Sequence, residues 1–461
     1  FLGGGLSDGA QGPDISVLPA AGLRQVEVLR DGAAAQYGSD AIAGVINLVM
    51  NDSAEGGSIH VNSGGYYEGD GEMVQVQANK GLQWGDDGFA NFTLEYRQQN
   101  ATSRSVQRDD AAALINAGND DVISPAQIWG ALKVNHDIKF GFNTGKPLDS
   151  RTQAYFFGNL AQRDITGGFY YRHPHDREGV FSSPADEQGN RHLLIADLDG
   201  VGQGVTCPTV PITDDNVLND ALYQQIADNS TVVGANCFAF NEWFPGGFTP
   251  KFGGVIEDAS VFAGIRRETE SGWLIDLSGS AGYSHVAYRL NGTVNPSLGP
   301  YSPLSFSPGS VSQIERTINL DVSRQIQTLL EEPLSIAAGM EWRKESYHQR
   351  QGDPLSFKAG PFAFDPGTGI SQGFSIGSNG FPGYQPQSEG HWSRSNWAIY
   401  TDLEMYFSPD MQVAMAVRVE EFSDFGSTFD GKLSGRYNIN DVFALRGSIS
   451  TGFKAPTVGF I

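Results

Sequence analysis

No stretch of this sequence approaches the roughly 20 consecutive apolar residues that a membrane-spanning helix needs. A helical membrane protein is therefore excluded, although strands that alternate apolar and polar residues could still cross a bilayer. Basic residues are scarce: 30 Lys and Arg stand against 53 Asp and Glu, for a net charge of −23. A nucleic-acid surface needs clustered cations, so no nucleic acid is expected as a partner. The acidity reads first as a solvated surface and second as a means of drawing cations into a vestibule. Only Cys207 and Cys237 are present, and no Cys or His cluster has zinc spacing. Two cysteines in one irregular, Asp/Asn-rich segment fit a disulfide made in an oxidising compartment. Catalytic signatures are missing as well: there is no G-x-S-x-G, no H-E-x-x-H and no nucleotide loop, and Gly3-Gly4-Gly5 lacks a following Lys-Ser/Thr. The expectation is a non-enzyme without cofactor or metal. No secretory leader is read at the start, FLGGGLSDGAQGPD, and both ends look cut from something longer.

What the chain has is glycine, at 58 residues, and aromatics, at 11%. Residues 1–54 read as a compact α/β piece: a strand over Gln25–Leu29, a turn at Arg30-Asp31-Gly32, a helical turn over Ala33–Gln36, a cap at Ser39 or Asp40, and a strand over Val45–Val49. From about residue 56 the period becomes two. Met411, Val413, Met415, Val417 and Val419 share one face, with Gln412, Ala414, Ala416 and Arg418 on the other. Residues 273–283, 334–343, 396–407 and 443–454 behave alike. Short turns such as 85–88, 268–272, 408–410 and 438–441 mostly alternate with long Gly/Pro/Asn-rich stretches near 101–135, 172–252, 290–310 and 351–393. About thirteen long strands result, with apolar faces ending in Trp273, Tyr283, Trp342, Trp397 and Phe453 and opposite faces carrying charge. This is the pattern of an antiparallel transmembrane β-barrel with aromatic girdles; a soluble sandwich or propeller accounts for the alternation but not for a charged second face.

Residues 24–50, RQVEVLRDGAAAQYGSDAIAGVINLVM, resemble the later part of the plug domain of TonB-dependent receptors, in Val26–Gly32, Tyr37-Gly38 and Gly44-Val45-Ile46-Asn47. Leu445-Arg446-Gly447-Ser448 with Ser450–Pro456 is similar to a mid-barrel segment of the same family, and Phe422–Gly426 is also like these barrels. The resemblance implies an all-β membrane protein: the tail of a mixed α/β plug over residues 1–54, then about thirteen strands, over 55–461, of a barrel of roughly 22. Roughly nine strands would follow Pro456, and the first half of the plug and the TonB box would lie outside this sequence.

The resemblance further implies TonB-dependent, energy-coupled import of a scarce bulky nutrient, of the siderophore-iron, cobalamin, oligosaccharide or peptide class, across the outer membrane of a Gram-negative bacterium. A passive porin or a soluble β-rich binding or adhesion protein are the alternatives. Implied partners are the TonB-ExbB-ExbD complex, the nutrient, and outer-membrane lipid and lipopolysaccharide. Alternation turns Glu341, Arg343, Asp402 and Glu404 towards the lumen. In this family plug arginines pair with barrel glutamates, so Arg30, with Glu27 nearby, is expected against Glu341 and Glu404. Tyr66, Tyr67, Phe169, Tyr170, Tyr171 and Trp243 are the candidate ligand-contacting loop aromatics, with membrane anchoring as the competing role. His173 and His175 read as ordinary loop bases, with chelation the weaker alternative.

Overall fold

The computed structural model describes residues 3–4, 11–12, 14–30, 32–38, 41–213, 216–330 and 332–460. The turn residue Asp31 and the proposed caps Ser39 and Asp40 lie outside the described residues. Strands β1 (Leu23–Leu29) and β2 (Val45–Met50) pair antiparallel, with Val26 opposite Leu48 and Val28 opposite Ile46. Between them lies the single turn α1 (Ala34–Tyr37). Ala33, Ala34 and Ala35 are fully buried, because only a small side chain lets the turn lie flat on the surface beneath it. Gly38, at φ +103°, ends the helix in a conformation that L side chains rarely adopt.

From Gly57 onward thirteen antiparallel strands follow one another as a meander in chain order. They are β3 (Gly57–Gly64), β4 (Met73–Trp84), β5 (Gly88–Gln99), β6 (Lys133–Asp149), β7 (Thr152–Gly168), β8 (Lys251–Glu268) and β9 (Leu274–Asn291). There follow β10 (Ser310–Ile326), β11 (Leu334–Arg350), β12 (Gly390–Ser408), β13 (Met411–Phe422), β14 (Gly426–Asn438) and β15 (Ala444–Ser450). The alternation read from sequence fixes the two faces. Leu94, Leu160, Leu277, Ile318, Ile399 and Leu433 each expose half or more of their surface on the outer face. Arg418, Glu420, Asp430, Glu95 and Asp137 are buried on the inner one. In water this outer face would be an apolar patch far beyond a soluble protein's usual few hundred Å². In hydrocarbon it is the satisfied side.

One reading needs correction. The strand expected over 443–454 stops at Ser450, and Phe453 is not a girdle residue: its ring packs 5.3 Å from Phe425 and 6.3 Å from inward-facing Phe422. The β13–β14 connection at 423–425 is tight although it lies on the long-loop side, because Arg394 holds Asp424 at 2.8 Å.

The hydrophobic core of this protein lies in its loops. Val180, Phe181, Leu194, Phe238, Phe240 and Phe248 from the β7–β8 connection pack with Phe362 and Phe374 from the β11–β12 connection. A second cluster, with Leu193, Val210, Tyr223 and Ile226, is crossed by the Cys207–Cys237 disulfide. The helices α2 (Ala221–Ala227) and α3 (Val232–Asn236) beside it are N-capped by Asp220 and Thr231. The long loops thus form a folded cap over the end of the sheet.

Candidate functional site

The plug piece is seated on the inner wall by polar contacts. Gln36 Nε2 of α1 donates to Asp402 Oδ2 of β12 at 2.6 Å, and Lys432 Nζ of β14 donates to Gln36 Oε1 at 3.4 Å. Arg163 of β7 donates to the Ser16 hydroxyl at 2.6 Å and to the Ser16 carbonyl at 2.8 Å. Asn143 reaches the Asn51 carbonyl at 3.1 Å, and Asn51 donates to Asn79 at 3.2 Å. Shape matters as well: a Cβ on Gly141 would stand 2.7 Å from Pro19 Cγ.

Behind these contacts run chains of buried charge. Lys139 lies 2.6 Å from Glu95 and 3.3 Å from Asp137, and Arg163 lies 3.0 Å from Asp137. The chain thus runs from β5 through β6 to β7 and ends on the plug at Ser16. Further round the wall, Arg418 pairs with Glu420 and, at 3.3 Å, with Glu341, while its guanidinium lies 5.5 Å from the centre of the Tyr400 ring. Charges this desolvated hold their geometry only while every member is paired.

The expected ionic contact between Arg30 and Glu341 or Glu404 is not made. Glu341 is occupied by Arg418, Glu404 accepts from Gln412, and Arg30 is exposed. Glu27 stays within the plug, accepting from Asn47 at 2.7 Å across the β1–β2 pair. The physical reason is register: β1 turns Glu27 towards its own hairpin partner, whereas the short α1 lies against β12, β13 and β14. The plug residue that reaches the barrel carboxylate is therefore a neutral glutamine.

Of the candidate loop aromatics, Tyr66, Tyr67 and Tyr170 are exposed, with the Arg104 guanidinium 5.1 Å from the Tyr66 ring centre. Phe169 stacks edge-on to Tyr170 at 5.5 Å and lies 6.1 Å from Phe252. Tyr171 is not available to a ligand. It is buried, its hydroxyl donates to the Gly246 carbonyl at 2.6 Å, and burial pushes that hydroxyl's pKa well up. Trp243 packs edge-on against Phe238 and Phe240 at 5.3 and 5.8 Å, which ties most of its ring to the cap. His173 and His175 belong to the cap core: the His175 ring accepts from the Val217 amide at 3.4 Å, and burial, with His173 beside it, lowers its pKa to about 4. No metal-binding group of three or more His, Cys, Asp or Glu occurs among the described residues. Cys207 and Cys237 are bonded, with their Cα atoms 5.7 Å apart.

Six aromatics that the motif reading passed over form a wall above the plug. Phe252, Tyr288, Tyr347 and Trp392 occupy inward positions at the outer ends of β8, β9, β11 and β12. Phe381 and Tyr384 lean onto them from the β11–β12 loop. Phe381 lies 5.5 Å from Phe252 and 5.3 Å from Tyr288, and Tyr347 lies 6.1 Å from Trp392. Strand parity was the signal: each of the four strand residues falls on the inward face, with Tyr347 and Trp392 two residues beyond the inward charges Glu345 and Arg394.

An antiparallel meander with an apolar exterior, a charged interior and an α/β hairpin seated inside it defines an outer-membrane β-barrel carrying a plug. The chain belongs to the TonB-dependent receptor family: residues 209–460 match its "TonB dependent receptor-like, beta-barrel" and residues 4–45 its "TonB-dependent Receptor Plug Domain". It is 22% identical over 450 residues to the ferric enterobactin receptor PirA of Pseudomonas aeruginosa, covering 96% of this chain and 48% of that protein. It is 27% identical over 195 residues to the vitamin B12 transporter BtuB of Vibrio vulnificus, covering 40% of this chain and 26% of that one. In fold it is similar to the siderophore receptor PirA of Acinetobacter baumannii, with a TM-score of 0.53 at 15% identity over 96% of this chain and 50% of that one. A mutant of the ferric enterobactin receptor PfeA of Pseudomonas aeruginosa, in complex with enterobactin, gives a TM-score of 0.55 at 12% identity, over 97% and 51%. The chain thus spans about half the length of PirA and belongs to the outer membrane of a Gram-negative bacterium.

Proposed function

We propose that the complete protein imports a ferric siderophore by TonB-dependent, energy-coupled transport. The observation that carries the transport reading is a plug held in the lumen by a few hydrogen bonds rather than by a packed core. Such a seat holds at rest yet can be displaced when the TonB-ExbB-ExbD complex pulls through a TonB box. Residues 1–54 are taken as plug and 55–461 as barrel, which the start of β3 at Gly57 supports. The siderophore class is supported by the aromatic wall, whose rings suit flat aromatic chelating groups, and by the names of the relatives. Cobalamin, oligosaccharides and peptides are the competing cargoes. Exposed Tyr66, Tyr67 and Tyr170, with half-buried Phe169 beside them, would make first contact at the rim.

A passive pore needs no plug, and the seated hairpin argues against it. The test is growth of a deletion strain under iron limitation with single defined siderophores. Rescue by the full-length gene, dependent on TonB, is the expected outcome. Uptake of cobalamin or a glycan instead, with no siderophore rescuing growth, would overturn the cargo but leave the transport reading standing.

A further inference from the structure

The outer wall carries a pair of like charges with no counter-charge among the described residues. Arg316 of β10 and Lys344 of β11 stand directly opposite each other. Both fall on the lipid-facing parity, two residues beyond Ile318 and Trp342, which are themselves paired. Trp342 lies 6.3 Å from Trp397 of β12, and Tyr283 of β9 stands opposite Ile314. These three aromatics mark the end of the apolar band on the long-loop side, where interfacial Trp and Tyr sit at headgroup level.

Like charges directly opposite on one sheet face destabilise it. The neighbours on that face are Ile314, Ile318, Ala281, Tyr283, Trp342 and Ser395, and none is acidic. Glu315 and Glu345, adjacent in sequence, take the opposite parity and face the lumen. Among the described residues no carboxylate pairs with either cation. A chain of net charge −23 has carboxylates to spare, so two unneutralised cations beside a tryptophan girdle call for an anion supplied from outside.

We propose that Arg316 and Lys344 clamp the phosphate of an outer-leaflet lipid headgroup, with Trp342 and Ile318 lying along its acyl chains. A guanidinium and an ammonium across one strand gap can share the oxygens of one phosphate. The acyl chains continue onto the apolar band, which commits the site to a lipid rather than to free phosphate. The inference rests on the orientation of the outer face and not on the nature of the cargo.

The test uses full-length, detergent-solubilised and delipidated receptor, titrated with bis-phosphorylated lipid A and with its dephosphorylated form. Each cation near such a surface contributes enough that Arg316→Ala/Lys344→Ala should weaken binding of the phosphorylated lipid by about thirtyfold. The dephosphorylated lipid should bind wild type and variant alike. Arg316→Lys keeps the charge and should retain most of the affinity. If the double variant does not assemble, Lys344→Gln carries the test, with a loss of about fivefold. Binding of phosphorylated lipid A by the variants as tight as by wild type would overturn the proposal. Full displacement of the lipid by millimolar inorganic phosphate would also overturn it, by reassigning the site to the free anion.

Discussion

Replacing Lys139 with methionine tests whether the buried charge chain holds the wall together. The side chain keeps its length and packing but loses its charge. Among the described residues Lys139 is the only cation on Glu95, at 2.6 Å, and both side chains are almost fully buried, at 7% and 2% exposure. Asp137 retains Arg163 at 3.0 Å, so a single carboxylate is orphaned. Glu95 keeps hydrogen bonds from Gln75 at 3.2 Å and Gln77 at 2.8 Å, which soften the loss without neutralising the charge. An unpaired buried charge costs about 3–5 kcal/mol, and the two amides place Lys139→Met at the lower end, about 3 kcal/mol. Glu95→Gln/Lys139→Met should recover most of it, because the neutral amide accepts from one of Gln75 and Gln77 and donates to the flipped carbonyl of the other, with no charge left to pair. The measurement is urea unfolding of the full-length receptor in lipid vesicles, read as a midpoint shift at constant slope. A single variant within about 1 kcal/mol of wild type, or a double variant no better than the single, would refute the reasoning.

The plug seat predicts a contrast. Gly141→Leu drives a side chain into Pro19, at a cost of about 1–3 kcal/mol, and should raise leakage of a large antibiotic through the full-length receptor about ten- to a hundredfold; Arg30→Glu should leave exclusion unchanged. Removing the disulfide with Cys207→Ser frees a 30-residue separation and should destabilise the cap by about 3–4 kcal/mol, visible as proteolysis near residue 207. The pH dependence of the cap follows from His175, whose folded pKa of about 4 lies below the ordinary 6.5. The unfolded cap therefore binds the proton first: its stability is complete above pH 6.5 and falls as the pH drops towards 4, by up to about 3 kcal/mol. His175→Phe should flatten amide-exchange protection across that window, and an unchanged slope would exclude His175 as its source.

Much of this protein was legible because its physics is local. A strand with one face in lipid and one in a wet lumen must alternate, so Met411–Val419 declared its faces residue by residue, and the turns declared the meander. The plug hairpin was equally plain, since Val26 and Val28 need apolar partners and Leu48 and Ile46 supply them. The strand at 443–454 was overrun because alternation persists past Ser450 while the ladder does not, and only packing shows Phe453 turning inward to Phe422.

Partner choice was beyond the sequence. Arg30 looked like the natural mate of Glu341, but Glu341 is taken by Arg418, and the plug reaches the wall through Gln36, 366 residues from Asp402. No local pattern encodes a contact at that range. The aromatic wall and the lone Arg316–Lys344 pair are legible only once register is known, because each joins residues from strands that the sequence does not itself align. The sequence by itself determined which residues face lipid and which face the lumen, because a strand's two faces are set by parity alone. Which of the inward charges meet, and which outward ones are left without a partner, only the closing of one strand against the next decided.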